Sequence, residues 1–338
     1  MDVSNDFGFG FCKTYANQKM VKFSSLAGEI QESEFDLVSA NSQYSISVAG
    51  HGSWSFGQTA KNQSSLASHS QSHEWVFSDQ YLAGMLLGIS KCISPATREV
   101  TVRLTTGLPY RDFARGKEFR ERFKNSLLGS HSIIRNDVKQ TISITSVLQA
   151  PQAFGPIFYH ILDNDGKLKE SLADRPNIRI GSVNTGSNTV EIGTIDVDLK
   201  NARLDMVEVG TRSRAIGIFT LLPILRKLIQ DKFPGEYFDD YELLEIIETE
   251  RIERYNQSYL VDLSTVKEHL NRSIIDFLGN TYRDEERGRL YSLINTGGGA
   301  RVLDLQKYHP NVWRSSEPQW DTCFGYGRLR NLLDRSKI

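Results

Sequence analysis

The sequence predicts an α/β protein built from two related lobes, and three observations carry that reading. Alternating apolar residues mark strands through the first half of the chain, while apolar faces at helical spacing dominate the second. The order of strands first and helices afterwards occurs twice, the second time from near residue 173, as a duplicated α/β unit would give. At 338 residues the chain exceeds the usual size of one compact domain and can bury a sizeable core.

The elements follow in order. The first fifty residues alternate strand-like runs with turns (DFGFGFCKTYA, MVKFSSLAG, FDLVSA, YSISVAG), so the chain opens on a sheet. NQSSLASHSQSHEW, rich in Ser, His and Gln, reads as an exposed loop. SDQYLAGMLLGISKCI sets Tyr81, Leu82, Met85, Leu86 and Ile89 on one helical face with Ser78 as its cap, so this helix packs on the sheet. EVTVRLTTGLP alternates Val100, Val102 and Leu104 before stopping at Gly107 and Pro109. KEFRERFKNSLLG then resumes helical spacing with a charged, solvated outer face. QTISITSVLQAPQAFGPIFYHIL is a strand, a Pro-Gln corner and a helix running on from Pro156. The second unit opens with IRIGSVNTGSNTVEIGTIDVDL, a strand and turn pair, followed by AIGIFTLLPILRKLIQDKF, a helix. YELLEIIETE and LSTVKEHLNRSIIDFLGNTYRDE are helical, and LYSLINTGGGARVLDL is an apolar strand that ends in three glycines and opens into a short helix.

Composition excludes several function classes. With 39% hydrophobic and 24% charged residues the chain is close to soluble averages, so long disorder is not expected. Lys and Arg (40) balance Asp and Glu (41), and a net charge of −1 supplies no electrostatic basis for direct nucleic-acid binding. Cys12, Cys92 and Cys323 lie far apart and form no CxxC pair, which fits a reduced, cytoplasmic protein without a structural zinc site. The start MDVSNDFGFG lacks the basic region and apolar run of a secretory signal. The longest apolar run, residues 215–225, is much shorter than a membrane span and contains Pro223; a buried helix is expected there. The seven histidines never pair at metal-ligand spacing.

Three turns carry the candidate chemistry. In NTGSNTVEIG, Val183 precedes the turn and Val190, Ile192, Ile195 and Val197 follow it, so Gly186, Ser187, Asn188 and Thr189 form a polar hairpin tip. Such a tip offers backbone N–H groups and hydroxyls to an anion, or is simply a solvated turn. DFGFGFCK repeats the device with Asp6, Gly8, Gly10 and Lys13. Gly297, Gly298 and Gly299 let backbone approach a flat or anionic ligand, or make a flexible turn. Neither the G-x-x-x-x-G-K-[ST] loop nor the dinucleotide G-x-G-x-x-G pattern occurs.

Two hairpins, one per lobe, with a late glycine turn, resemble the cleft of the actin-type ATPases, and the sequence is similar to their ParM/StbA branch of plasmid-segregation actins from about Asp6 to Gly327. Asp6, Gly8 and Lys13 match a first phosphate motif D-x-G-x-x-x-x-K; FGQTA, with Gly57 and Ala60, and TTGLPYRDF, with Gly107, Leu108 and Pro109, resemble family segments. VLQAPQAFGP resembles the corner that carries the water-orienting residue, which falls on Gln152, with Gln149 the weaker candidate. NTGSNTVE stands where the family has D-x-G-x-x-T-x-D, matching at Gly186 and Thr189; INTGGGA resembles the adenosine motif, and EPQWDTCFGYGRL the closing segment.

The resemblance implies an actin-like fold, with two related lobes of mixed sheets flanked by helices around a nucleotide cleft. Residues 1–172, rejoined by 318–338, would form domain I, and 173–317 domain II. It implies a filament of this chain with itself that binds ATP or GTP with Mg2+ and slowly hydrolyses it, serving DNA segregation through a separate small DNA-binding adaptor. In-line attack of water on the γ-phosphate needs positioning and charge neutralisation above all. Asp6 would serve the magnesium water shell, Lys13 the phosphates and Gln152 the attacking water. Gly8, Gly10, Gly186, Ser187, Asn188 and Thr189 would cradle the phosphates, and Gly297, Gly298 and Gly299 the nucleoside. Asn184 departs from the family Asp, and Glu191 replaces a later Asp. An amide accepts a hydrogen bond from a metal-bound water but brings no charge, so binding survives this change better than fast hydrolysis. A chromosomal or cell-shape scaffold with little turnover is the alternative. A sugar-kinase-like phosphotransferase needs a catalytic Asp beside an acceptor pocket, and the chain shows no clear one.

Overall fold

In a computed structural model the described residues are 1–30, 44–63, 73–172, 175–201 and 203–336. The strands of the first half are β1 (Asp2–Phe7), β2 (Phe11–Ala16), β3 (Lys19–Ser24), β4 (Ala27–Glu29), β5 (Ser45–Val48), β6 (Gly52–Phe56), β7 (Glu99–Leu108), β8 (Gly129–Arg135) and β9 (Val138–Pro151). Among the described residues they form one sheet in the order β3-β2-β1-β7-β9-β8-β5-β6-β4. The second half supplies β10 (Asn177–Thr185), β11 (Val190–Asp198), β12 (Arg203–Met206), β13 (Arg212–Arg214), β14 (Arg251–Arg254), β15 (Gln257–Leu260), β16 (Leu290–Thr296) and β17 (Val312–Trp313). Here the order is β12-β11-β10-β16-β17, with β13 on β11 and β14-β15 as a separate ribbon.

Each sheet begins with the same device. A tight antiparallel hairpin, β1-β2 or β10-β11, lends its first strand to a parallel partner much later in the chain, β7 or β16. Parallel strands expose their carboxyl ends on one edge, where open α/β sheets leave a crevice for ligands.

Burial explains the elements between the strands. The helix Asp79–Cys92 starts where Ser78 accepts the amide of Tyr81 at 3.2 Å, and it buries Tyr81, Leu82, Met85, Leu86 and Ile89 against the first sheet. The helix Lys117–Leu127 buries Phe119, Phe123 and Leu127 and leaves its charges outward. The helix expected over AIGIFTLLPILRKLIQDKF is shorter than its apolar run: residues 218–221 make a 3-10 turn and the α-helix is Leu222–Lys232. Pro223 sets this start, because proline fits the first helical turn but would break an interior one. In the Ser, His and Gln-rich stretch, residues 64–72 lie outside the described residues, as does the expected strand FDLVSA. His73–Phe77 is no exposed loop: it is a 3-10 turn whose Trp75 packs edge-on to Phe7 and stacks on Phe9. All three cysteines are buried and unpaired, and no helix among the described residues is long and apolar enough to cross a membrane.

A third apolar cluster joins the sheets. Ala153, Phe154, Ile157 and Ile161 follow β9, Ile178, Ile180, Ile195 and Ile294 come from the second sheet, and Tyr326 comes from the C-terminal helix Asp321–Arg335. That helix returns to the first sheet, where buried Arg330 donates to the Leu104 carbonyl at 2.7 Å and to Thr105 Oγ1 at 3.1 Å. It also lies on the helix Gly155–Ile161 with backbone against backbone: a Cβ added at Gly325 would sit 1.7 Å from the Gly155 carbonyl oxygen. Gly325→Ala must therefore push these helices apart, and urea unfolding should show a loss of about 1–3 kcal/mol, the usual cost of overpacking a core. An unchanged midpoint would contradict this packing.

Candidate functional site

A cleft lies between the lobes at the carboxyl ends of β1, β7, β10 and β16. Asp6, Gly8, Gly10, Lys13, Gln152, Asn184, Gly186, Ser187, Asn188, Thr189, Gly297 and Gly298 all line it. Residues spread through the whole sequence thus share one wall-to-wall space. Gly299 does not: it is buried, and a Cβ there would lie 2.3 Å from the Thr185 side chain, so this glycine packs the turn against the sheet.

The first hairpin pairs Asp6 with Lys13 across β1 and β2 and turns through Gly8, whose amide donates to the Phe11 carbonyl at 3.0 Å. The Lys13 ammonium pairs with Asp6 Oδ2, and Gln152 Nε2 donates to Asp6 Oδ1 at 3.1 Å. Burial alone would disfavour the lysine's charge, but the adjoining Asp6 carboxylate outweighs it and moves the Lys13 pKa upward. Gln152 owes its place to the 3-10 turn Gln152–Phe154, which follows β9 directly. Gln149 points elsewhere, donating to the Arg120 carbonyl at 2.8 Å.

The second hairpin is held from below. The amides of Gly217, Ile218 and Phe219 donate to the carbonyls of Asn188, Gly186 and Ser187 at 3.1, 3.1 and 2.7 Å. With the tip carbonyls committed inward, Ser187 and Asn188 line the cleft and their amides make no backbone hydrogen bond among the described residues, which suits an anion nest. The tips of the two hairpins meet: a Cβ on Gly10 would lie 1.9 Å from Ser187 Oγ.

Asn184, one residue before the end of β10, lies beside Glu191 on β11 and Thr296 on β16. Next to Thr296, Gly297 has φ +86°, and a Cβ there would meet Asn184 Oδ1 at 2.4 Å. Thr296 donates its hydroxyl to buried Asp321, as does Ser315, at 2.9 and 2.5 Å. Burial pushes the Asp321 carboxyl up to about 6. The glycine turn is thereby moored to the returning C-terminal helix.

Two groups of lining residues escaped sequence reasoning. Phe9, Trp75 and Val76 of the first lobe and Leu244, Ile247 and Glu248 of the helix Asp240–Thr249 extend the cleft as an apolar mouth. The periodicity of that helix is legible, but nothing local says which lobe its face meets. Ion pairs Lys22–Glu248, at 3.3 Å, and Lys61–Asp239 bridge this mouth. Glu191 is legible only as a departure; it is 1% exposed and accepts the Tyr110 amide at 2.6 Å.

The arrangement can seat a polyanion between two hairpins, with one lysine, one carboxylate and one amide side chain converging at its end. Among the described residues, no group of three or more His, Cys, Asp or Glu side chains could hold a metal without help from a ligand.

Comparison with known proteins agrees with this architecture. Residues 4–155 match the family described as Actin like proteins N terminal domain. No curated protein matches the chain in sequence. Among solved structures, a non-polymerisable quadruple mutant of pCBH ParM is 18% identical, with 100% of this chain and 99% of that one covered at a TM-score of 0.76. ParM in a 15-stranded filament from Clostridium botulinum is 17% identical over 100% and 99% of the chains, at a TM-score of 0.77. The archaeal actin homologue Ta0583, solved in complex with ADP, is 16% identical over 97% and 98%, at a TM-score of 0.72. The chain therefore has the actin-like fold of the ParM proteins along its whole length, with residues 4–155 matching the N-terminal domain of actin-like proteins.

Proposed function

We propose that the cleft binds a nucleoside triphosphate with Mg2+, and that the protein is a nucleotide-dependent filament with slow hydrolysis. The convergence of Asp6, Gln152, both hairpin tips and the turn at Gly297 and Gly298 in one cleft carries this reading. The ADP complex of Ta0583 and the filament of Clostridium botulinum ParM support it by likeness of fold. Residues 1–172 with 318–338 then form one moving lobe and 173–317 the other.

Each residue's work follows from its place. Lys13, already desolvated and charged, offers its ammonium to the terminal phosphates. The amides of Ser187 and Asn188 complete the cradle. Gln152 orients the attacking water with the carboxamide group that now rests on Asp6. Asp6, a lone carboxylate, suits Mg2+ bound through water and phosphate oxygens, since this ion keeps several waters and needs few protein ligands. Once bound, the ion would neutralise charge on the β- and γ-phosphates. Asn184 contributes a neutral oxygen, a change that binding survives better than fast turnover does. That residue also supports the second reading, a long-lived cytoskeletal scaffold. With a net charge of −1, any role in DNA segregation requires a basic adaptor.

Sedimentation with ATP, GTP and a non-hydrolysable analogue, alongside phosphate release, tests the proposal. Nucleotide should drive pelleting, the analogue should hold the pellet, and chelation of Mg2+ should abolish release; a chain that stays soluble with every nucleotide refutes the filament. Gln152→Ala should lower turnover by about 10²-fold while affinity by calorimetry is kept. Asn184→Asp should raise turnover. The glycine turn gives a paired test: Gly297→Ala, at positive φ, should cost the fold about 1–3 kcal/mol. Gly298→Ala, with nothing within 4 Å of the added Cβ, should leave stability unchanged and weaken nucleotide binding. Equal stabilities for the two variants would contradict the turn geometry.

A further inference from the structure

Glu191 stands on β11 across from Asn184 of β10 and Ser213 of β13. Its carboxyl accepts the amide of Tyr110, which follows β7 in the first lobe, and the hydroxyl of Ser213 in the second. The Thr189 hydroxyl, at the tip of the second hairpin, also turns to it. One side chain thus closes the seam between the lobes and touches the phosphate cradle. None of these partners is a cation. Asp112, in the same turn as Tyr110, repels it, and the charge of Glu191 also bears on the buried Tyr326 phenol of the C-terminal helix, which donates to the Ala150 carbonyl. The arginines flanking Ser213 point away: Arg212 donates to the Glu208 and Thr211 carbonyls, and Arg214 lies over the Phe277 ring.

We infer that Glu191 is a positioning residue that ties the second hairpin to the first lobe, and that it takes up a proton when the lobes close. A neutral acid keeps both contacts, one oxygen accepting the Tyr110 amide while the hydroxyl donates to Ser213 Oγ. A carboxylate in the same place would be a buried charge without a counterion. Burial pushes the Glu191 carboxyl up to about 7, against an ordinary value of 4.5 once opening returns it to water. Closure is therefore favoured in acid, and that advantage is lost as pH rises toward and through about 7. Only the consequence for nucleotide turnover rests on the proposed function; the tether itself does not.

Hydrogen exchange at the Tyr110 amide of the full chain without nucleotide, corrected for intrinsic rates, reads the tether directly. In the native protein the amide should be about tenfold better protected at pH 6 than at pH 8, the ratio for one proton with these two pKa values. Glu191→Gln, which mimics the neutral acid, should hold Tyr110 protected equally at both pH values, and Glu191→Ala should expose it at both. A Glu191→Gln protein that keeps the native pH dependence overturns the inference, as does Tyr110 remaining protected in Glu191→Ala. Should the alanine variant not fold, the glutamine comparison decides alone. Calorimetry with ATP at both pH values separates the two readings: absent binding refutes the nucleotide site and leaves the Tyr110 result standing.

Discussion

The cleft depends on one contact, the close packing of the C-terminal helix on the helix that follows β9. Gly155 and Gly325 bring the two backbones together. The apolar side chains around them, Ile157, Ile161 and Tyr326, reach the second sheet through Ile180 and Ile294. Interiors packed at this density transmit rather than absorb displacement. The hairpin tips lie at the carboxyl ends of β1 and β10, and β9, parallel to β7, hands over to the helix Gly155–Ile161 through Gln152, which bonds Asp6 in the cleft. The C-terminal helix packs on the first sheet and the helix Gly155–Ile161 on the second, so the pair joins the two. That is why the chain has to return at residue 321: without the last helix, the apolar strip between the sheets would lie open.

The polar interior is arranged against the same scaffold. Lys13 and Asp6 are both nearly inaccessible and neutralise each other, so neither stands as an isolated buried charge. A buried pair of this kind is costly to desolvate and contributes little net stability, which makes it a poor structural device and a good preorganised one. The cost of burying the ammonium is met in folding, before any anion arrives. Gln152 completes the group by occupying the remaining oxygen of Asp6. An incoming polyanion would draw the ammonium away from Asp6 and release that carboxylate, together with the amide resting on it, toward water and metal.

Much of this was legible because it is local. Alternation flanking polar tips located both hairpins, and a capping Ser78 located the helix that follows it. Proline chemistry also carries the start of Leu222–Lys232, although the apolar run around Pro223 reads as one longer helix. What stayed hidden is what distant pairing decides. Gln152 is the stronger and Gln149 the weaker candidate in the sequence, and only the strand end at Pro151 shows why: it turns one inward and leaves the other on Arg120. Gly299 looks like its two neighbours, but the turn rotates it onto Thr185. Trp75 sits at the end of a polar stretch and is buried by Phe7 and Phe9, which are some seventy positions earlier in the chain. Glu191 offers no sequence signal at all for a tether, since Tyr110 meets it through a backbone amide that any residue could supply.

Among the described residues, few contacts connect the two lobes across the cleft: the buried Glu191–Tyr110 hydrogen bond at its floor and two ion pairs at its mouth. Lys22–Glu248 and Lys61–Asp239 are partly solvated, and ion pairs of that kind contribute about 0–1 kcal/mol each. Gly10 meets Ser187 at the tips, where the half-buried Phe219 packs against the apolar clusters of both lobes. Against these contacts stands the large apolar cluster that joins the two sheets. The energy separating open from closed is then only a few contacts wide. A ligand that touches both hairpins needs to prefer the closed state by only about 5.5 kcal/mol to carry a population from one extreme to the other. A lysine and several amides aimed at one polyanion are of that order, whereas no pair at the mouth is. On the proposed nucleotide reading, lobe position would then be set by what occupies the cleft.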